Sequence, residues 1–118
     1  MEKIVEQALL YDFYGELLTD HQKQIYEEHV LNDLSTSEIA SISGISRQGV
    51  HDVVKRCDRI LYGYEEKLHL LEKFLKTKEM VEQINHLASS ILTTEDEQEV
   101  RQKVEEIEKV SHSILEEF

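Results

Sequence analysis

The chain has no proline and no tryptophan, only four glycines and a single cysteine. Without proline, little interrupts a helix, and the abundance of Glu, Leu, Ile, Lys and Gln favours helix nearly everywhere, so an all-α fold is expected. Cys57 has no partner for an intramolecular disulfide and cannot build a zinc site of the usual kind. It falls on the apolar stripe of a helix, where a cysteine acts as a small buried hydrophobe, and a free thiol suits a reducing cytoplasm. No basic leader precedes an apolar core, and no apolar run approaches the length that crosses a bilayer. The expectation is a cytosolic protein with no membrane partner. The six histidines, at 21, 29, 51, 69, 86 and 112, show no H-E-x-x-H spacing, and no glycine-rich phosphate loop occurs. Neither a metal, a cofactor nor an enzymatic activity is therefore expected. At 118 residues the chain holds one domain, or a small domain with a helical extension.

Positive charge is scarce as well. Thirteen Lys and Arg stand against 25 Asp and Glu, for a net charge of −12, which opposes a polyanionic partner unless cations are concentrated where they are needed. They are concentrated. Residues 47–78 hold eight Lys/Arg against five Asp/Glu, net +3, whereas residues 1–46 are net −7 and residues 79–118 net −8.

The basic segment begins inside the most informative stretch, Leu34 to Leu61. Ser35 and Glu38 have the S-x-x-E spacing of a capping box, which starts a helix at Thr36. Ile39 and Ile42 give that helix an apolar side, and Ala40 is small enough to admit a neighbour closely. Gly44 accepts the left-handed conformation that ends a helix. Ile45 can bury itself in the turn, and Ser46 is again a good N-cap, so a second helix begins at Arg47. On it Val50, Val53, Val54, Cys57, Ile60 and Leu61 recur at three- and four-residue spacing as one buried stripe. Arg47, Gln48, His51, Asp52, Lys55, Arg56 and Arg59 lie mostly away from that stripe. This is the helix-turn-helix pattern, in which the second helix enters the DNA major groove and its first residues meet base edges. Arg47, Gln48, His51 and Asp52 are the expected base contacts, and Ser46, Lys55, Arg56 and Arg59 the expected phosphate contacts. Ser43 departs from the pattern, since that place usually carries an apolar residue.

Upstream, residues 2–18 place Ile4, Val5, Ala8, Leu9, Tyr11, Phe13, Leu17 and Leu18 on a wide apolar face of a first helix, with Tyr11, Phe13 and Tyr14 filling core and rim. Thr19 and Gln22 form a second capping box. It opens a helix to about Leu31, with Ile25, Val30 and Leu31 inward, and Asn32–Asp33 make the turn that follows. Downstream, Tyr64, Leu68, Leu71 and Leu75 continue the stripe past Gly63, where the helix runs on or kinks. Met80, Ile84, Leu87 and Ile91 carry a similar seam. Thr93 and Thr94 with Glu97 signal a break near Leu92. A last helix then sets Val100, Val104, Ile107, Ser111, Ile114 and Phe118 on one face. These readings divide the chain into a helix-turn-helix bundle over residues 1–62 and a helical hairpin or extension over 63–118. These seams are covered either by each other and the first bundle or by a second copy of the chain. Narrow Leu/Ile seams suit helix pairing and helix-turn-helix proteins often read paired half-sites as dimers, so a homodimer is the expectation, held through Leu68, Leu71, Leu75, Val104, Ile107 and Ile114.

Residues 18–61 resemble region four of bacterial sigma factors through Leu18-Thr19, Leu34-Ser35, Glu38-Ile39-Ala40, Ile45-Ser46, Val50 and Arg56. The segments YDFYGELLTDHQKQIYEEHVLNDLSTSEIA, GISRQGVHDVVKR and ILYGYEEKLHLLEKF resemble the YlxM family, small proteins of low-GC Gram-positive bacteria encoded beside the signal recognition particle GTPase. Ser43 and Gly49 stand where related sequences commonly carry an apolar residue and Ala. The resemblance implies a sigma-region-four-like, winged-helix-superfamily bundle with a C-terminal helical extension. It implies either a DNA-binding regulator linked to the targeting pathway, or an adaptor that binds the particle's GTPase or its RNA. RNA is read largely by stacking aromatics on unpaired bases, and the exposed side of the second helix has none.

Overall fold

A computed structural model describes residues 1–118. It contains α1 (Lys3–Tyr14), a 3-10 turn (Gly15–Leu17), α2 (Asp20–Val30), α3 (Thr36–Ser43), α4 (Arg47–Leu68), α5 (Leu70–Ile91) and α6 (Glu97–Glu117), and no strand. The all-α expectation holds. The chain forms two compact units, Met1–Leu71 and Glu72–Phe118.

The first unit is assembled around α4. Local punctuation starts each helix before it as the residues dictate. At α2 the Thr19 hydroxyl accepts from the Gln22 N–H while the Gln22 side chain accepts from the Thr19 N–H, and Ser35 and Glu38 repeat the arrangement at α3. Gly44 ends α3 with φ +71°. Ile25, Ile39, Val50 and Val54 form one buried cluster, with Leu34, Ala40, Ile45 and Val53 packed around it. Further along α4, Cys57 and Leu61 join Leu10, Tyr14, Leu18 and Tyr26 in the interior. Burying an aliphatic side chain of this size contributes about 1.5–3 kcal/mol, so the α4 stripe accounts for much of the unit's cohesion.

Three expectations need correction here. On α1 the inward side is Gln7, Leu10 and Tyr14, while Ile4, Val5 and Phe13, and Leu17 in the 3-10 turn, are exposed. Apolar residues surround α1 too evenly to mark a side, and Asp58 decides it by taking the Gln7 amide (Nε2 to Oδ1 3.0 Å and to Oδ2 3.2 Å). Leu31 caps α2 but lies 51% exposed, because the chain turns away at Asp33 with φ +52°. Nor does the first unit end near residue 62. α4 runs unbroken through Gly63 to a left-handed His69 (φ +56°). Tyr64 stacks on Tyr14 at 5.9 Å, Glu65 accepts from the Tyr14 hydroxyl at 2.7 Å and from the Leu71 N–H at 2.9 Å, and Leu71 is buried. These ties draw residues 63–71 into the first unit.

In the second unit α5 and α6 run antiparallel, tied by Lys76 Nζ to Glu117 Oε2 at 3.0 Å. Leu75, Met80, Ile84, Leu87 and Ile91 are half-buried, as are Val100, Ile107, Val110 and Ile114 on α6. The expected α6 face is thus right at Val100, Ile107 and Ile114, while Val104, Ser111 and Phe118 are exposed and Val110 takes the inner place. Asp96, not Thr94, caps α6, its carboxylate accepting from the Gln98 N–H at 2.9 Å. No residue from Glu72 to Phe118 is fully buried.

Candidate nucleic-acid interface

The site is the outer side of α4 at the turn from α3. Three residues, Gly44 to Ser46, connect the helices, and the left-handed Gly44 lets the chain reverse while its N–H bonds the Ala40 carbonyl at 3.0 Å. Ile45 is half-buried under the turn. Ser46 then caps α4, its hydroxyl accepting from the Gly49 N–H at 2.9 Å. Accepting leaves the Ser46 hydroxyl proton available to a phosphate oxygen. At Gly49 there is little room for more, because a Cβ would lie 3.2 Å from the Ser46 oxygen and 3.6 Å from Ile45.

With 3.6 residues per turn, Arg47, Gln48, His51, Asp52, Lys55, Arg56 and Arg59 sweep about half of the helix circumference. All seven are exposed. The four first-named stand on the first two turns, with Gln48 donating to Asp52 at 3.0 Å, and the three cations behind them continue along the same side. The structure therefore gathers the residues expected to meet bases and phosphates onto one surface. The residues expected to pair subunits are not equivalent. Leu68 and Val104 are exposed, Leu75, Ile107 and Ile114 are half-buried, and Leu71 is enclosed in its own unit.

Behind that surface lies a polar clamp that sequence reasoning missed. Asp58, half-buried on α4, accepts from Tyr26 of α2 at 2.5 Å as well as from Gln7 of α1. Burial, and then this bond, push the Tyr26 hydroxyl far above the usual phenol range. Tyr62 is pushed up to about 12, by burial first and then by its bond to Glu6. A signal existed: Asp58 lies four residues after Val54 and three before Leu61, both buried, so helical spacing puts it on the inner side. Cys57 beside it has its thiol pushed up to about 11, mainly by burial and secondarily by Asp58, against a lowering influence from Arg56. The α3–α4 corner leaves one polar atom without a partner, the enclosed hydroxyl of Ser43. That matches its place in the motif, where an apolar side chain would be at home.

A left-handed turn between two capped helices, with the second presenting an exposed polar and cationic side, is the architecture of a helix-turn-helix protein. A family model described as "Putative helix-turn-helix protein, YlxM / p13 like" matches residues 1–107. A UPF0122 protein of Acetivibrio thermocellus is 42% identical over 117 residues, covering 96% of this chain and all of that protein. The UPF0122 protein YlxM of Bacillus subtilis is 41% identical over 110 residues, 93% of this chain and 97% of its own length. A UPF0122 protein of Caldanaerobacter subterraneus is 52% identical over 77 residues, 65% of this chain and 66% of that protein. The chain belongs to the UPF0122 family of YlxM/p13-like helix-turn-helix proteins.

Proposed function

We propose that this chain is a DNA-binding regulatory protein that works by binding rather than catalysis, in the cytoplasm, as a homodimer. The observation that carries the reading is the exposed side of α4, where Arg47, Lys55, Arg56 and Arg59 stand together directly behind the α3–α4 turn. In a chain of net charge −12, cations grouped on the one helix that a helix-turn-helix offers to the major groove favour a nucleic-acid ligand. Arg47, Gln48 and His51 meet base edges in this reading, and Asp52 stands beside Gln48 on the same side. Ser46, Lys55, Arg56 and Arg59 hold phosphates. Leu68, Leu75, Val104, Ile107 and Ile114 pair the subunits, with Leu71 backing Leu68 from within the first unit. No helix is long and apolar enough to cross a membrane, and the reading includes no membrane partner.

The test is target selection from random duplexes followed by salt titration. Each phosphate contact contributes about 0.9 to the slope of log affinity against log salt, so Arg56→Ala should weaken binding to all sequences alike and lower the slope by about one. A preference for no sequence, or an unchanged slope, counts against the reading.

The acidity of the C-terminal residues favours a rival reading, in which the chain is an adaptor that does not bind DNA. Residues 79–118 carry net charge −8 and suit a basic protein partner better than a nucleic acid. Through the family resemblance that partner is the signal recognition particle, reached through its GTPase or, less suitably, its RNA. Affinity capture of the tagged chain that recovers neither component would remove this role.

A further inference from the structure

One pairing on α4 is not explained by phosphate binding. Asp52 is an exposed acid on the very side offered to a polyanion. Between Ser46 and Arg59 the only other acid is Asp58, which turns inward to Gln7 and Tyr26. Asp52 sits one turn beyond Gln48, and Gln48 Nε2 donates to Asp52 Oδ1 at 3.0 Å. An ionised carboxylate only accepts. It therefore admits the Gln48 amide in one of its two orientations, with the NH2 group toward Asp52. One N–H and Oε1 then remain for a ligand, a single donor beside a single acceptor.

In the major groove that pair complements adenine, which offers N7 as acceptor and its N6 amino group as donor. Guanine offers two acceptors, N7 and O6, and would set Oε1 against O6. The geometry points to Gln48 as an adenine reader whose choice against guanine is imposed by Asp52, a positioning residue acting through the amide. This inference rests on the DNA-binding reading above and goes beyond it by naming the base and the device that selects it.

The experiment is selection of the full chain on a random duplex library, followed by affinity measurements on the selected site with adenine or guanine at each position. For the wild type, one position prefers adenine over guanine by about tenfold or more. Gln48→Ala loses that preference there and nowhere else. Asp52→Asn can either accept from or donate to Gln48, so the amide is free to turn over and present two donors to guanine. The adenine preference then falls to within about threefold, while affinity for all sequences rises because a negative charge on the side offered to a polyanion is gone. Asp52→Ala releases the amide altogether and gives the same relaxation. All three substitutions are at exposed positions, and unchanged thermal midpoints separate a change in reading from a change in folding.

If a site is selected but the adenine-to-guanine ratio is the same in wild type and Asp52→Asn, the inference is overturned and the DNA-binding reading stands. It is overturned in the same way if Gln48→Ala keeps the adenine preference. If no duplex is enriched, both fall together.

Discussion

The Cys57 thiol, fully enclosed on the inner side of α4, is pushed up to about 11 chiefly by burial, and this gives the protein a particular response to alkali. Between about pH 9 and 11 the folded chain keeps a proton that the unfolded chain releases. The unfolded state then binds fewer protons, and stability must fall as pH rises through that window. Below about pH 9 this group makes no difference. A shift of about two units corresponds to roughly 2–3 kcal/mol lost by the top of the window. Tyr62, pushed up to about 12, carries the decline further. Urea unfolding midpoints measured at pH 8 and at pH 10.5 should differ accordingly, and thiol reagents at pH 8 should modify the folded chain much more slowly than the urea-unfolded one. Equal midpoints would contradict the assignment. The burial of Cys57 was legible from its place on the stripe. The elevation by Asp58 was not, because it depends on a carboxylate whose own partners, Gln7 and Tyr26, come from 51 and 32 residues away.

Helix boundaries divide into those written locally and those imposed by packing. Both capping boxes, the Gly44 stop and the Ser46 start lie within a few residues of the atoms they bond, and all four could be read directly. The inward side of α1, the end of α4 at His69 and the inner row of α6 could not, since each depends on what the neighbouring helix offers. Two glycines, one within α4 and one on its approach, separate the cases. Gly63 sits inside α4 with open space where a Cβ would be, whereas Gly44 also has open space but holds φ +71°. Gly63→Ala should therefore stabilise the protein by about 1 kcal/mol through helix propensity. Gly44→Ala should destabilise it by about 1–2 kcal/mol through the left-handed conformation it forces on an L-residue. Chemical denaturation of the two variants checks the opposite signs. Like signs would mean that sterics, not backbone preference, governs these sites.

Across the molecule the two units differ in kind. Met1–Leu71 has a closed interior, while Glu72–Phe118 has no fully buried residue and leaves Val81, Val104, Leu115 and Phe118 at 50% exposure or more. A two-helix hairpin buries too little surface to be stable alone, and antiparallel helices with apolar rows are commonly completed by a second pair. For the proposed homodimer paired through the hairpin, Val104→Glu should shift the protein to monomer in sedimentation while leaving the thermal transition of the first unit near its wild-type value. A dimer that survives this change would place the subunit contact elsewhere. The division at residue 71 rather than 62 was not legible because the residues that move it, Tyr14 and Glu65, meet only in three dimensions. The Asp58 clamp also has a meaning in time. During synthesis α1 emerges first, yet the carboxylate that orients it is made 51 residues later. Until α4 has left the ribosome, Tyr14 lacks the Glu65 carboxylate and the Tyr64 ring, and Gln7 lacks the Asp58 carboxylate. The α1 helix therefore cannot settle before α4 is made, and the helix that begins at the α3–α4 turn is also the one that closes the first unit.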